Sequence, residues 1–237
     1  MRHPARPVSS LVPVDRERNS GTMREQFDEQ LEQIRDDLVE LCTLTEPAID
    51  CATRAVLDTD LSAADRATEL SADIEARAAE LDHRALTLIA RQQPVALDLR
   101  SLIGGMHNIA DLRRMGSLAA HIAEVARLHH PEPVVPHELR GIISDMGVAA
   151  TAQAAAAREV LRTRDEAAAL DLIWADERTD ELLRRLFAAT KSDEWLHGAA
   201  SAVNITLLGR FYERFCDHTV EIGRRVIFVV TGEIPDQ

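Results

Sequence analysis

The chain has 237 residues and a formal net charge of −13, and aromatics make up only 3% of it. That balance excludes a nucleic-acid surface, which needs Lys and Arg to neutralise phosphates and rings to stack on bases. Ala, Leu, Glu and Arg dominate, Gly and Pro are few, and Lys191 is the only lysine, which is the composition of long helices.

Residues 1–22, rich in Pro, Ser and Arg, read as a disordered tail, or as an over-called start with Met23 as the true initiator. From Arg24, the apolar residues Phe27, Leu31, Ile34, Leu38 and Leu41 recur at helical steps. The pattern continues through Ile49 and Val56, with a kink expected at Pro47. Ser62 followed by Asp65 predicts the start of a second helix that runs to Gln93, and Pro94 suits the first turn of a third, reaching about Leu128. The stretch 129–137, HHPEPVVPH, carries three prolines and marks the internal boundary. Three more helices are predicted, from Glu138 to Arg162, Glu166 to Thr190 and Asp193 to Thr231, before a short tail at 233–237. The expected domains are therefore 23–128 and 138–232. Equal helix counts on each side of the linker suggest a duplication, and sliding Arg114 onto Arg214 also brings Ile122 onto Ile222.

No apolar run reaches the length of a membrane span, and the opening residues lack a signal-peptide core. The cysteines Cys42, Cys51 and Cys216 are odd in number and lack CxxC spacing, which points to a reducing compartment and hence the cytoplasm. Cys216, beside Gly116 in the repeat, reads as a packing residue, and His218 is expected to find a partner on a neighbouring helix.

Acidic residues four apart share a helix face: Glu69 with Asp73, Asp176 with Asp180, and Glu213 with Asp217. Such pairs repel unless a cation sits between them, and two facing pairs make an all-oxygen site for hard cations, which iron and zinc can also use. With 40 acidic residues in the chain, chance alone gives roughly seven such pairs, mostly solvated. Spacing alone therefore does not identify a site.

The surrounding residues are more specific. Gln93-Pro94-Val95-Ala96-Leu97-Asp98-Leu99-Arg100 resembles the QPxAxDLR signature of the PhoU family, and Tyr212-Glu213-Arg214-Phe215-Cys216-Asp217-His218 resembles its YLERxxDH motif. The runs around Glu69 and Asp73 and around Asp176 and Asp180 are similar to the family's acidic motifs on the second and fifth helices. The resemblance covers about residues 23–232. It implies an all-α fold of two pseudo-symmetric three-helix bundles, with metal sites between the second and third helices and between the fifth and sixth.

It further implies a cytoplasmic regulator of phosphate uptake and phosphate-starvation signalling, peripheral to the membrane through its partners. Those partners are a phosphate ABC transporter ATPase subunit and a sensor histidine kinase, with a homodimer also expected and no direct membrane insertion. One departure matters: Arg113-Arg114-Met115-Gly116-Ser117 stands where the family has ERxxD. Iron, zinc, manganese or magnesium is therefore expected at Asp176, Asp180, Glu213 and Asp217. Glu69 and Asp73 are expected to form a weaker site, with Arg113 pairing one of those acids in place of a metal.

Two rival readings carry distinct expectations. Glu80 with His83 and Glu194 with His197 satisfy the Glu-x-x-His spacing of ferritin-like di-iron oxidases, although Glu194 falls in the expected first turn of the last helix. In the other, the chain is a metal-free helical adaptor whose acids form a charged docking surface. No Gly-rich phosphate loop or GxSxG elbow is present, so no enzyme activity is expected.

Overall fold

The computed structural model describes residues 16–233, which are helical apart from short connections and contain no strand. The first half comprises α1 (Arg16–Thr43), α2 (Thr45–Asp58), α3 (Leu61–Gln92) and α4 (Ala96–His129). A linker containing a 3₁₀ turn at His137–Leu139 leads to α5 (Arg140–Thr163), α6 (Glu166–Trp174), α7 (Asp176–Thr190) and α8 (Gly198–Thr231). Taking α1 with α2 and α6 with α7 as interrupted helices, each half is a three-helix unit.

Several boundaries differ from the sequence reading, each for a local reason. α1 begins at Arg16, so residues 16–22, expected in a tail, are helical; extending an existing helix costs far less than nucleating one. Residues 1–15 of that expected tail lie outside the described residues, as do 234–237 of the second. The kink expected at Pro47 falls earlier, between Thr43 and Thr45. Pro47 has no N–H for the Thr43 carbonyl four residues back, and its ring crowds that carbonyl. Pro47 instead sits in the first turn of α2, and the Thr45 hydroxyl donates to the Cys42 carbonyl at 2.8 Å.

The N-cap of α3 is Asp60 rather than Ser62. Its carboxylate accepts from the Ala63 N–H at 3.1 Å, and the Ser62 hydroxyl donates to the same oxygen at 2.6 Å. Pro94 stays outside α4, between the left-handed Gln93 and the extended Val95. The helix expected over Glu166 to Thr190 is divided at Ala175, whose carbonyl accepts from the Gln153 amide on α5 at 3.4 Å. α8 starts at Gly198, not Asp193, because residues 191–197 form turns that Gly198 ends with a φ of 75°.

The two halves share one continuous apolar core, with α4 packed on α8 and α2 on α5. Tyr212, fully buried on α8, donates its hydroxyl to Thr53 on α2 at 2.9 Å. The α2–α5 approach depends on Gly147, where an added Cβ would lie 2.4 Å from Thr53 Cγ2. A helix-interior Gly→Ala exchange normally gains about 1 kcal/mol, but overpacking here costs about 1–3 kcal/mol. Gly147→Ala is therefore expected to lower the thermal midpoint. Gly141→Ala, with nothing within 4 Å of the added carbon, is expected to be neutral or stabilising by up to about 1 kcal/mol. Calorimetry on both variants checks the contrast.

Candidate functional site

The second unit brings the acids of α7 and α8 together. Asp176 is the first residue of α7 and Asp180 lies one turn on, facing Glu213 and Asp217 of α8. The register is set beneath them, where the buried Thr179 hydroxyl meets Cys216 Sγ at 3.5 Å. Gln153 of α5 completes this buried layer: its carbonyl accepts from the Thr219 hydroxyl at 2.6 Å and its amide donates to Thr179 at 3.3 Å. Every member is hydrogen-bonded, which is the condition for a buried polar network to fix one arrangement rather than loosen it.

Electrostatically the cluster is only partly compensated, by Arg210 beside Glu213 and by Arg224 near Asp176. Asp176 is half-buried, and its carboxyl is pushed up to about 6, first by burial and then by Asp217, Asp180 and Glu213. Glu213, only 9% exposed, is raised by burial and then by Asp217, with Arg210 opposing. Asp217 is raised by burial and by Asp180, against the pull of Arg210. Asp176 Oδ1 and Glu213 Oε2 are buried with no hydrogen-bond partner. Orphaned carboxylate oxygens of this kind are costly unless a proton or a cation takes them up.

The donor set thus fits a hard cation, but it is not already gathered around one. Among the described residues no three His, Cys, Asp or Glu side chains converge as a group that could hold a metal ion. Glu213 Oε1 is engaged by Arg210 at 2.6 Å. The other oxygen of Glu213, Oε2, stays unpartnered, and Asp180 and Asp217 are exposed.

The first unit is built differently. Glu69 and Asp73 are exposed on α3, and Glu69 pairs with Arg66 at 3.2 Å. The expectation that Arg113 pairs with Glu69 or Asp73 is corrected: Arg113 binds Glu75 through Nε at 2.9 Å and through a second nitrogen, and reaches Asp82 at 3.4 Å. Antiparallel packing explains the shift. Gly116 lies against Ile74, so Arg113, one turn toward the start of α4, faces a segment further along α3. Ser117 donates back to the Arg113 carbonyl at 3.0 Å and takes no part in a site.

The Glu-x-x-His pairs do not meet. Glu80 and His83 are exposed on α3. Glu194 and His197 lie in the turns before α8 rather than in its first turn, where His197 instead contacts Glu138. Cys216 is fully buried, with its thiol pushed up to about 12 by desolvation, as a packing residue should be. His218 does find a partner on another helix: its Nδ1 donates to Asp111 of α4 at 2.9 Å. Arg225 binds the same carboxylate and the Asn108 carbonyl, the latter at 2.8 Å. Sequence reading missed Asp111, Arg225, Gln153 and Thr219. Their only signal is a polar residue on an otherwise apolar helical face.

Asp176 has a direct consequence for stability. A carboxyl raised from about 3.9 when unfolded to about 6 when folded binds more protons in the folded state between those values. Stability of the metal-free protein is therefore expected to rise as pH falls from 7 toward 5, with Glu213 and Asp217 acting in the same direction. Asp176→Asn should raise the midpoint at pH 7 and flatten that slope, as pH-dependent denaturation of both proteins will show. An unchanged slope would mean that Asp176 is ordinarily ionised.

Comparison with known proteins agrees with this architecture. A PhoU domain model matches the chain twice, at residues 38–126 and 143–226, one match per unit. The phosphate-specific transport system accessory protein PhoU homolog 1 of Mycobacterium leprae is 42% identical over 214 residues, 90% of this chain and 96% of that protein. PhoU homolog 2 of Mycobacterium tuberculosis is 41% identical over 213 residues, 90% of this chain and 100% of its own length. The crystal structure of PhoU from Pseudomonas aeruginosa superposes with a TM-score of 0.76 at 25% identity, covering 87% of this chain and all of that one. That of the phosphate transport system regulatory protein PhoU from Streptococcus pneumoniae gives a TM-score of 0.79, covering 89% of this chain and all of that one. With both units matched, relatives 41–42% identical over nearly the whole chain and the fold shared, the chain belongs to the PhoU family.

Proposed function

We propose that the chain is a regulatory accessory protein of phosphate uptake, restraining phosphate-starvation signalling when phosphate is plentiful. The observation that carries this reading is identity of 41–42% to phosphate-specific transport system accessory proteins over nearly their whole length. The architecture is in keeping with a docking role: an acidic helical surface and, among the described residues, no helix long and apolar enough to cross a membrane. Its partners in this reading are the ATPase subunit of a phosphate ABC transporter and a sensor histidine kinase, which would hold it at the cytoplasmic face. A homodimer and the absence of enzyme activity belong to the same proposal. Affinity capture from membranes of phosphate-replete cells should recover the ATPase subunit or the kinase. Recovery of neither, together with unaltered starvation-gene expression when the chain is deleted, would overturn it.

The second unit would hold a metal ion, iron, zinc, manganese or magnesium, through Asp176, Asp180, Glu213 and Asp217. The support is the pair of orphaned oxygens on Asp176 and Glu213 and the raised carboxyls around them. A bound cation would add positive charge where Arg210 and Arg224 offset the acids only in part. The protein's own residues do the positioning: the Gln153, Thr179 and Thr219 layer fixes α7 against α8, and Arg210 holds Glu213 until it is exchanged. Glu69 and Asp73 would bind weakly, since Arg113 and Ser117 bring no second acidic pair opposite them. Metal at 100 times its dissociation constant should stabilise the wild type by about 2.7 kcal/mol. Glu213→Gln with Asp217→Asn should lose most of that gain, and Glu69→Gln with Asp73→Asn little of it. Elemental analysis and thermal unfolding on the two double variants check the assignment, and the reverse pattern would place the metal in the first unit.

A further inference from the structure

A second polar constellation lies at the seam between the units, away from the acids of α7. Where α1, α4, α5 and α8 meet, a cavity is walled by apolar side chains such as Leu38, Leu102, Leu161 and Val226, and its polar lining is Arg35, Ser101, Asn108 and Arg164. Val226 lies nine residues beyond Asp217, about 13 Å along α8, so the two places are separate. The recess opens to solvent on one side and holds about 50 Å³, room for roughly three or four waters. That admits a single small ion and excludes a nucleotide.

The cavity's polar groups are overwhelmingly donors. Arg35 comes from α1 and lies 3.5 Å from the Ser101 hydroxyl. Arg164 comes from the end of α5, where it holds a φ of 55°, a conformation that glycine adopts at lower cost. The Asn108 carbonyl is taken by Arg225 at 2.8 Å, which leaves the amide N–H₂ as its group for the cavity. The two guanidiniums are close enough that Arg35 adds to burial in disfavouring the charge on Arg164. One carboxylate oxygen serves both: Glu32 Oε2 lies 2.7 Å from Arg35 and 3.9 Å from Arg164, from a side chain that is 60% exposed. Asp36 adds a weaker attraction to Arg164.

Two convergent arginines, a hydroxyl and an amide in a partly open recess with apolar walls complement a group that only accepts hydrogen bonds, and one shared carboxylate oxygen satisfies them poorly. We propose that this cavity binds a small tetrahedral oxyanion of the phosphate class between Arg35 and Arg164, with Glu32 as the internal carboxylate that the ion displaces. The site joins residues of both units, so its occupant would bridge α1 and α5. This inference stands apart from the regulatory reading and from the metal.

Isothermal titration of the full chain, treated with chelator so that no bound metal contributes, with inorganic phosphate tests it. Saturable binding of one ion per chain is expected, with sulfate competing because it has the same shape. Arg164→Gly, which suits the left-handed backbone and so should fold, is expected to weaken binding at least about tenfold. Arg35→Gln carries the same expectation should that variant fail to fold. Glu32→Gln removes the competing carboxylate and is expected to tighten binding several-fold. Phosphate binding that survives Arg164→Gly unchanged, or that weakens in Glu32→Gln, would overturn the proposal. So would the lack of saturable binding in both the wild type and Glu32→Gln.

Discussion

Across the seam between α4 and α8, Asp111 receives both His218 and Arg225, and Arg225 also holds Asn108. These groups are mostly buried, so breaking the set would leave a charge poorly solvated and without its partner. Hydrogen bonds at fixed positions also choose the register between two long helices that apolar contacts alone would leave free to slide. Gly104 permits the close approach, for an added Cβ there would lie 2.7 Å from a Val229 methyl. With α4 and α8 fixed to one another, each serves as the inner wall of its own unit. The position of the α7 acids relative to α8, and of the α1 and α5 arginines relative to one another, follows from that.

The second unit adds a buried polar layer directly under its acids. Gln153 reaches from α5 to Thr179, Thr219 and the carbonyl of Ala175 at once. It therefore ties the point where α6 gives way to α7 to the same layer that sets the α7–α8 register. Asp176 begins α7 immediately after that point. Its carboxylate gains from the helix N-terminus, but burial first and its acidic neighbours second work against it, and the balance raises it. A site poised in this way is sensitive to protons because the chain satisfies it only in part, Asp176 Oδ1 and Glu213 Oε2 having no partner.

Much of the architecture was legible because helices advertise themselves. The spacing of Phe27, Leu31, Ile34 and Leu38 located α1, and the same residues are buried on it. The prolines at 131, 133 and 136 located the boundary between units. Boundaries depended on subtler physics: Pro47 acts on the carbonyl four residues before it, and Asp60 outcompetes Ser62 as a cap because it carries a full charge. The division at Ala175 has no marker in the sequence, since alanine is the best helix former and the interruption comes from Gln153 on another helix. The acid pairs were legible by their spacing, but the partners of Arg113 were not. Which α3 residues face it depends on antiparallel register, which only the packing of Gly116 on Ile74 fixes. The Arg35 and Arg164 pair was equally invisible, because it joins two helices far apart in sequence.

The pairing of Arg113 with Glu75 and Asp82 separates the two halves in the way each responds to its surroundings. In the first unit the positive charge between α3 and α4 is part of the chain, present in every molecule at every ionic composition. In the second, Arg210 pairs with Glu213, while Asp176 Oδ1 and Glu213 Oε2 stay buried without a partner. A fall in pH from 7 toward 5 therefore alters the charge of the second half, while the guanidinium of the first keeps its own. The duplication thus sets a helix pair closed by a fixed guanidinium beside one whose acids take up protons.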